Sequence, residues 1–264
     1  MKSNNFPIGI FDSGIGGTSI WREIKTLLPN ENTIYLSDSR NAPYGEKSKQ
    51  EIINLSIKNT EFLIKQNCKL IVVACNTATT NAIKILRKKY SIPFIGIEPA
   101  IKPAALKTKT NIIGILATKG TLNSKLFEKT SSTISRKITV KEKIGTGLVE
   151  LIENGDIDTS KMKELLTSYL EPMLKKQVDC LVLGCTHYPY LIPVIREIVG
   201  DKIQIIDSGE AVARQTKTIL EKKQLLNNTS KDGNHQFYIN KDKKVLEMLI
   251  SKYGKKIKIN QLDF

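Results

Sequence analysis

Two segments hold the residues best suited to chemistry, "VVACNTATT" (72–80) and "CLVLGCTHYP" (180–189). In each, an apolar run of the kind that fills a buried strand ends on a cysteine, and hydroxyl or amide residues follow at once. Cys75 and Cys185 therefore stand at the carboxyl ends of strands, the edge where open α/β sheets build ligand sites. Cys68 and Cys180 precede their runs and fall at the opposite edge. A lone cysteine in such a place is usually a small core hydrophobe. Two in equivalent places, each beside a threonine or amide, point to reactive thiols.

The thiolate is the reactive form, with a pKa of about 8.5 in a free thiol that a helix N-terminus or a cation can lower. "NTATTNAIK" (76–84) predicts a helix that starts directly after Cys75. Its free amides and dipole favour a thiolate and can hold a carboxylate. Two thiols on opposite sides of one ligand allow one to take a proton while the other gives one. That chemistry suits inversion at a carbon bearing an acidic hydrogen.

Other candidates gather at the same edge. Asp12 ends the run "IGIF" and can serve as proton relay or counter-ion, with Ser13 offering a hydroxyl beside it. "FDSGIGGTSIW" (11–21) is a glycine-rich strand-to-helix turn that permits close approach to a ligand. It lacks the Gly-Lys-Ser/Thr ending of a P-loop, and Ser19 replaces the third glycine of a dinucleotide fingerprint. "DSRNAPYGEKS" (38–48) is a loop whose backbone amides and Tyr44 hydroxyl can reach a ligand. His187, two residues past Cys185, makes a Cys-x-His pair of the kind a thiol hydrolase uses, or half of a metal site that no further pair completes. Glu150 and Glu153 share a short predicted helix, "GLVELIENG", and spacing alone does not choose between them. His235, in the polar stretch 227–236, reads as a solvent-exposed loop residue.

The elements that must position these residues alternate along the chain. Strands are predicted at 6–12, 32–38, 69–75, 92–98, 111–118, 136–142, 179–185, 202–207, 236–240 and 256–262, several of them continuous Ile, Val and Leu. Helical patterns fit between them. Over 48–67, Ile53, Ile57, Thr60 and Ile64 fall on one predicted face, and Pro172 marks a bend or boundary in the long helix 159–176. Alternating strand and helix implies α/β architecture with largely parallel sheets. The chain also carries two similar sets of parts. "IFDSG" and "VVACNT" lie in the first half, "VLGCTH" and "IIDSG" in the second. Two pseudo-symmetric α/β lobes with a site in the cleft between them explain that pairing.

Composition sets the bounds. A chain of 264 residues with 40% hydrophobic content can bury a real core. No apolar stretch approaches the ~20 residues a membrane-spanning helix needs, and the opening "MKSNNFPIGIFDSG" lacks the features of a secretory signal. A cytoplasmic protein with no membrane partner is expected. Four cysteines without a C-x-x-C pair argue against both a disulfide framework and a zinc ribbon. The formal charge of +15 comes from lysines scattered along the chain without regular aromatic interleaving, so nucleic acid is not expected as a partner.

Taken in order, the segments "GIFDSGIGG" (9–17), "YLSDSRNAPYGEKS" (35–48), "ACNTAT" (74–79), "GIEPA" (96–100), "GILATKGTLNS" (114–124), "GCTHYPYL" (184–191) and "IDSGEAVA" (206–213) resemble the glutamate racemases of the aspartate/glutamate racemase superfamily. The resemblance spans most of the chain. It implies cofactor-independent interconversion of L- and D-glutamate, supplying D-glutamate for peptidoglycan and hence for cell-wall biogenesis and cell shape. It places the two catalytic thiols on Cys75 and Cys185, assisted by Asp12 and His187. It puts substrate contacts on Asp12, Ser13, Tyr44, Gly45, Asn76, Thr77, Thr186 and His187. The family's assisting glutamate lies in a "VPLVE" type segment, whose counterpart "VELIE" (149–153) points to Glu153, with Glu150 in the usual proline position. No metal is implied, and a homodimer is. The resemblance also implies a discontinuous first lobe, residues 1–97 plus 207–264, around a second lobe of residues 98–206. The alternatives are a sister racemase acting on aspartate, a thiol hydrolase using Cys185 and His187, and a non-enzymatic basic protein that binds nucleic acid.

Overall fold

A computed structural model describes residues 3–134, 137–254 and 256–264. Among the described residues, ten strands form two sheets, every neighbouring pair parallel. The first sheet contains β1 (Ile8–Asp12), β2 (Thr33–Ser37), β3 (Leu70–Val73) and β4 (Phe94–Gly96). The second contains β5 (Ile112–Ala117), β6 (Thr139–Ile144), β7 (Cys180–Gly184) and β8 (Gln204–Ile206). The chain then returns to the first sheet with β9 (His235–Ile239) and β10 (Ile257–Gln261). The orders are β10-β9-β2-β1-β3-β4 and β6-β5-β7-β8. The first four strands of each sheet thus follow one pattern, second-first-third-fourth, and the two-lobed α/β expectation holds.

That pattern decides where sites form. Connections leave the first strand of each set toward opposite sides, so a crevice opens between the carboxyl ends of the first and third strands. In the first sheet this is between β1 and β3, which bring Asp12 and Cys75. In the second it is between β5 and β7, which bring Thr118 and Cys185. β1, β3 and β7 are buried along their whole length, as their unbroken apolar sequences require.

The helices are α1 (Thr18–Leu27), α2 (Lys49–Lys65), α3 (Asn76–Lys89), α4 (Ile101–Lys107), α5 (Lys119–Leu122), α6 (Lys125–Ser132), α7 (Leu148–Glu153), α8 (Ser160–Leu174), α9 (Ile192–Val199), α10 (Gly209–Lys222) and α11 (Lys244–Ile250). Ser48 and Glu51 close a reciprocal capping box at the start of α2. The largest apolar cluster runs through both sheets, from Ile8 and Trp21 to Leu183 and Tyr188, so the lobes share a core. Among the described residues, no helix is long and apolar enough to cross a membrane.

Several expectations need correction. The buried side of α2 is Ile52, Ile53, Ser56, Asn59, Thr60 and Leu63, while Ile57 is half-buried and Ile64 exposed. Three polar residues lie on the inside: the Ser56 hydroxyl donates to the Ile52 carbonyl and the Asn59 amide nitrogen donates to the Tyr44 hydroxyl, while Asn59 Oδ1 and the Thr60 hydroxyl have no hydrogen-bond partner among the described residues. His235 is buried, not exposed. It opens β9, lies 2.9 Å from the Thr33 hydroxyl and meets the Trp21 ring edge-on at 5.4 Å. The sixth strand begins at Thr139 and runs to Ile144, later than the predicted 136–142, and Arg136 lies outside the described residues. Pro172 falls inside α8, which continues to Leu174.

Candidate active site

Cys75 caps α3. Its backbone is extended, and its sulfur accepts the Ala78 amide at 3.4 Å. The thiol donates to the Ser13 hydroxyl at 3.6 Å. Asp12, fully buried at the end of β1, accepts the Gly17 amide at 2.8 Å and is approached by the Thr186 hydroxyl at 3.3 Å. Thr186 adjoins Cys185, so a single carboxylate links the two cysteine segments. Burial pushes the Asp12 carboxyl up to about 6, opposed by the charge of His187 and the Gly17 amide. Burial likewise pushes the Cys75 thiol well up, and the Asp12 charge adds to the rise. The Ala78 amide and Ser13 hydroxyl pull the other way and lose. The start of α3 is expected to favour a thiolate here, but burial and the neighbouring carboxylate outweigh it and favour the thiol.

The surroundings of Cys185 are of opposite sign. Its sulfur lies 3.8 Å from His187 Nδ1. The other ring nitrogen, Nε2, lies 2.6 Å from Glu153 Oε1, with both side chains buried. Burial alone would discharge the imidazole, but contact with Cys185 and Glu153 outweighs it and raises the His187 pKa well above its ordinary value. Burial would also raise Glu153, yet hydrogen bonding and charge from His187, with the Ser39 hydroxyl and the Ile15 amide, hold it low. The pair is therefore an imidazolium donating to a carboxylate. The Gly16 amide, 3.2 Å from Nε2, faces a ring nitrogen already committed as a donor, so the shorter Glu153 contact defines the pair.

Glu153 gathers groups from the opposite lobe. Its Oε1 accepts the Ile15 amide at 2.7 Å and its Oε2 accepts the Ser39 hydroxyl at 2.7 Å. The glycine-rich turn makes this possible. A Cβ on Gly14 would collide with the Glu153 carboxylate, and one on Gly16 with the His187 ring. The close approach expected toward a ligand is thus made toward side chains of the other lobe. Glu150 is half-buried and lines a small cavity with Pro43, Gly45 and Thr118, away from His187. Of the two glutamates, Glu153 is the one brought to the cysteine.

Next to Cys75 stands Asn76, the first residue of α3. Its side-chain amide is buried, and neither its nitrogen nor its oxygen meets a protein partner. Beside it, Thr77 Oγ1 lies 2.8 Å from Thr118 Oγ1 and 3.3 Å from Thr121 Oγ1, and the latter two are 3.0 Å apart. This hydroxyl triangle joins the lobes. Thr118 and Thr121 were not among the expected site residues. The available signal was a hydroxyl just past the β5 run, at the same sheet edge that Asp12 marks at the end of β1. Tyr44 also departs from expectation. Its hydroxyl donates to Asp38 at 2.5 Å and accepts the Asn59 amide, so what this loop has left to offer a ligand is backbone. Gly45 packs on Thr118, to which an added Cβ would come within 2.8 Å. The structure therefore brings Asp12, Ser13, Cys75, Glu153, Cys185, Thr186 and His187 into one connected network, with Asn76 and Thr77 at its side.

Twin parallel sheets whose switch points meet in one buried network that holds two thiols define a two-lobed α/β enzyme. A sequence profile for Asp/Glu/Hydantoin racemases matches residues 8–216. A glutamate racemase of Ralstonia pickettii is 49% identical over 208 residues, covering 79% of this chain and 74% of that one. The fold superposes on the crystal structure of Francisella tularensis glutamate racemase in complex with D-glutamate, with a TM-score of 0.84 and 30% identity over 98% of each chain. It superposes equally on Escherichia coli glutamate racemase in complex with L-glutamate and the activator UDP-MurNAc-Ala, with a TM-score of 0.85 and 32% identity over 97% and 98% of the two chains. The chain belongs to the Asp/Glu/hydantoin racemase family and is an amino-acid racemase.

Proposed function

We propose that this racemase interconverts L- and D-glutamate without a cofactor, with Cys75 and Cys185 as the two bases. The observation that carries this reading is the buried, unpartnered amide of Asn76 next to Cys75, beside a buried network that joins two cysteines with surroundings of opposite electrostatic character. A buried amide with both ends free is costly unless a ligand satisfies it. The substrate names of the relatives supply glutamate as that ligand.

In this reading the α-carboxylate sits at the start of α3, held by Asn76, Thr77 and Thr186. Asp12 and Ser13 receive the ammonium group, whose positive charge offsets the carboxylate that raises Cys75. The backbone of Tyr44 and Gly45 closes over the side chain. The α-hydrogen of a zwitterionic amino acid is poorly acidic, so fixed donors at the carboxylate must stabilise the charge that develops at Cα. From one isomer, Cys185 removes the proton while His187, held charged by Glu153, steadies the sulfur's negative charge; Cys75 delivers a proton on the other face. The reverse direction exchanges the roles. By the family resemblance, Cys75 handles the D-isomer proton and Cys185 the L-isomer proton. Positioned acid–base groups each contribute roughly 10²–10⁴-fold.

Residues 1–97 with 207–264 would form one lobe and 98–206 the other, moving apart to admit substrate to a site that is otherwise buried. The D-glutamate would enter cell-wall peptidoglycan, in the cytoplasm, from a homodimeric enzyme. The decisive test is L-glutamate in deuterated buffer with no additive, followed by circular dichroism and proton NMR. The expected result is a racemic mixture carrying deuterium at Cα. Product retaining its original hydrogen would overturn the two-base scheme, and faster turnover of aspartate would move the substrate assignment.

A further inference from the structure

The racemase profile ends at residue 216, yet the chain continues into β9, whose carboxyl end lies beside that of β2. The first residue past β9, Asn240, is buried and spends its whole side chain on the loop that follows β2. Its Nδ2 donates to Asp38 Oδ1 at 2.6 Å, and its Oδ1 accepts the Arg40 amide at 2.9 Å. Asp38 is itself buried, and its carboxylate is met by neutral donors: Asn240 and Asn41 on one oxygen, the Tyr44 hydroxyl on the other. Each donor matters, because a buried carboxylate that loses one bears a large share of the desolvation cost. Ser39, next to Asp38, carries the hydroxyl that holds Glu153.

We propose that Asn240 is a positioning residue for the substrate loop 38–46. It acts through Asp38 and the Tyr44 hydroxyl to fix the backbone of Tyr44 and Gly45, and through Ser39 to steady Glu153. The inference rests on the reading that this loop holds the glutamate. It assigns to the returning C-terminal segment a part in the reaction that its place outside the profile would not suggest.

The test is steady-state racemisation by Asn240→Ala, Asn240→Asp, Tyr44→Phe and the Asn240→Ala/Tyr44→Phe double variant, each checked for native circular dichroism and melting temperature. Asn240→Ala is expected to raise KM about tenfold, equivalent to ~1.4 kcal/mol, with a smaller change in kcat. Asn240→Asp keeps the shape but sets a second carboxylate against Asp38, so it should be worse than Ala. The double variant should lose less than the product of the two single losses, since both act through the one Asp38 carboxylate. A purely structural role would instead lower the active fraction, scaling kcat and leaving KM alone. KM within twofold of the unmodified enzyme, a milder Asp than Ala, or additive losses would each overturn the inference. Should Asn240→Ala fail to fold, Asn240→Ser and Tyr44→Phe carry the same comparison. The unmodified enzyme in the same assay tests the substrate reading separately: if it racemises glutamate and Asn240→Ala keeps its KM, only the positioning role falls.

Discussion

Cys75 and Cys185 follow the third strand of matching parallel sheets, yet their neighbours differ in sign. Cys75 has a hydroxyl, an amide and the fully buried Asp12. Cys185 has His187, kept cationic by Glu153. The scaffold is repeated and the electrostatics are not. A two-base reaction needs that asymmetry, because one thiol must enter protonated and its partner must bear charge. Groups of one type whose surroundings push them apart are the signature of divided acid and base roles. Here the difference comes from single residues at the carboxyl ends of strands, where replacement disturbs the sheets least.

The largest break in the comparison is to remove either sulfur. Cys75→Ser and Cys185→Ser should each lower racemisation by on the order of 10³-fold or more, with native circular dichroism, because a serine hydroxyl is a far weaker acid. Full activity in either variant would remove that thiol from the mechanism.

Asp12→Asn should act next most strongly, by roughly 10²-fold in kcat. The Asp12 carboxyl sits at about 6 in the folded protein against 3.8 ordinarily, so activity should fall as pH drops through about 6, and the variant should lose that limb. Stability should move the other way. A carboxyl raised on folding contributes stability that is present below its unfolded value and lost as pH rises through its folded value. Asp12→Asn should therefore melt higher than the unmodified protein above pH 6, by up to ~3 kcal/mol, and match it near pH 4. A variant that is active, or no more stable at pH 7.5, would contradict both halves of the argument.

Much of the repeated scaffold, though not its electrostatic asymmetry, could be anticipated from residues alone. The strands were legible because runs such as Leu70–Val73 and Cys180–Gly184 are buried on both faces and so read as unbroken apolar sequence. The cysteines were legible because each ends such a run. What stayed hidden depends on contacts far apart in the chain. Glu150 and Glu153 lie one turn apart on α7, and only packing against His187 and Ile15 separates their roles. Ser39 and Thr118 look like ordinary loop hydroxyls until the lobes come together. The Tyr44 hydroxyl reads as a ligand donor until Asp38 and Asn59 are seen to occupy it. His235 sits in a polar stretch, and its burial follows from Trp21 and Thr33, about two hundred residues earlier.

Glu153→Gln sharpens the comparison from the Cys185 side. It keeps the shape and an acceptor for the Ile15 amide but removes the charge that holds His187 protonated. We expect kcat to fall roughly tenfold, about 1.4 kcal/mol, with KM less affected. Its basic limb should move to lower pH, because the imidazolium then loses its proton more easily. Breaking a buried ion pair should also lower the melting temperature. An unchanged pH profile would mean that Glu153 does not set the charge of His187.

The smallest effect separates the two buried histidines. His187 has a carboxylate beside it. Among the described residues His235 has none within hydrogen-bonding reach, and burial together with the charges of Lys25 and Lys256, against the weaker pull of Asp232, lowers its pKa to about 4. The signs of their linkage are therefore opposite. His187 contributes stability that is present below the unfolded value of about 6.5 and lost as pH rises through its raised folded value. His235 contributes stability that is present above about 6.5 and lost as pH falls toward 4. Asp12 opposes His235 across much of that acid window, so the difference between variants, not the slope of one protein, isolates each group. His235→Phe should fill the space against Trp21, give up the Thr33 hydrogen bond, and lose less stability than the unmodified protein between pH 6.5 and 4.5, by on the order of 1–2 kcal/mol in urea titrations. Activity at pH 8 should be unchanged, since His235 lies at the amino-terminal edge of the sheet, opposite the thiols. Equal acid slopes in the two proteins would show that His235 takes up its proton without unfolding, and that its burial is less complete than its contacts with Trp21 and Thr33 require.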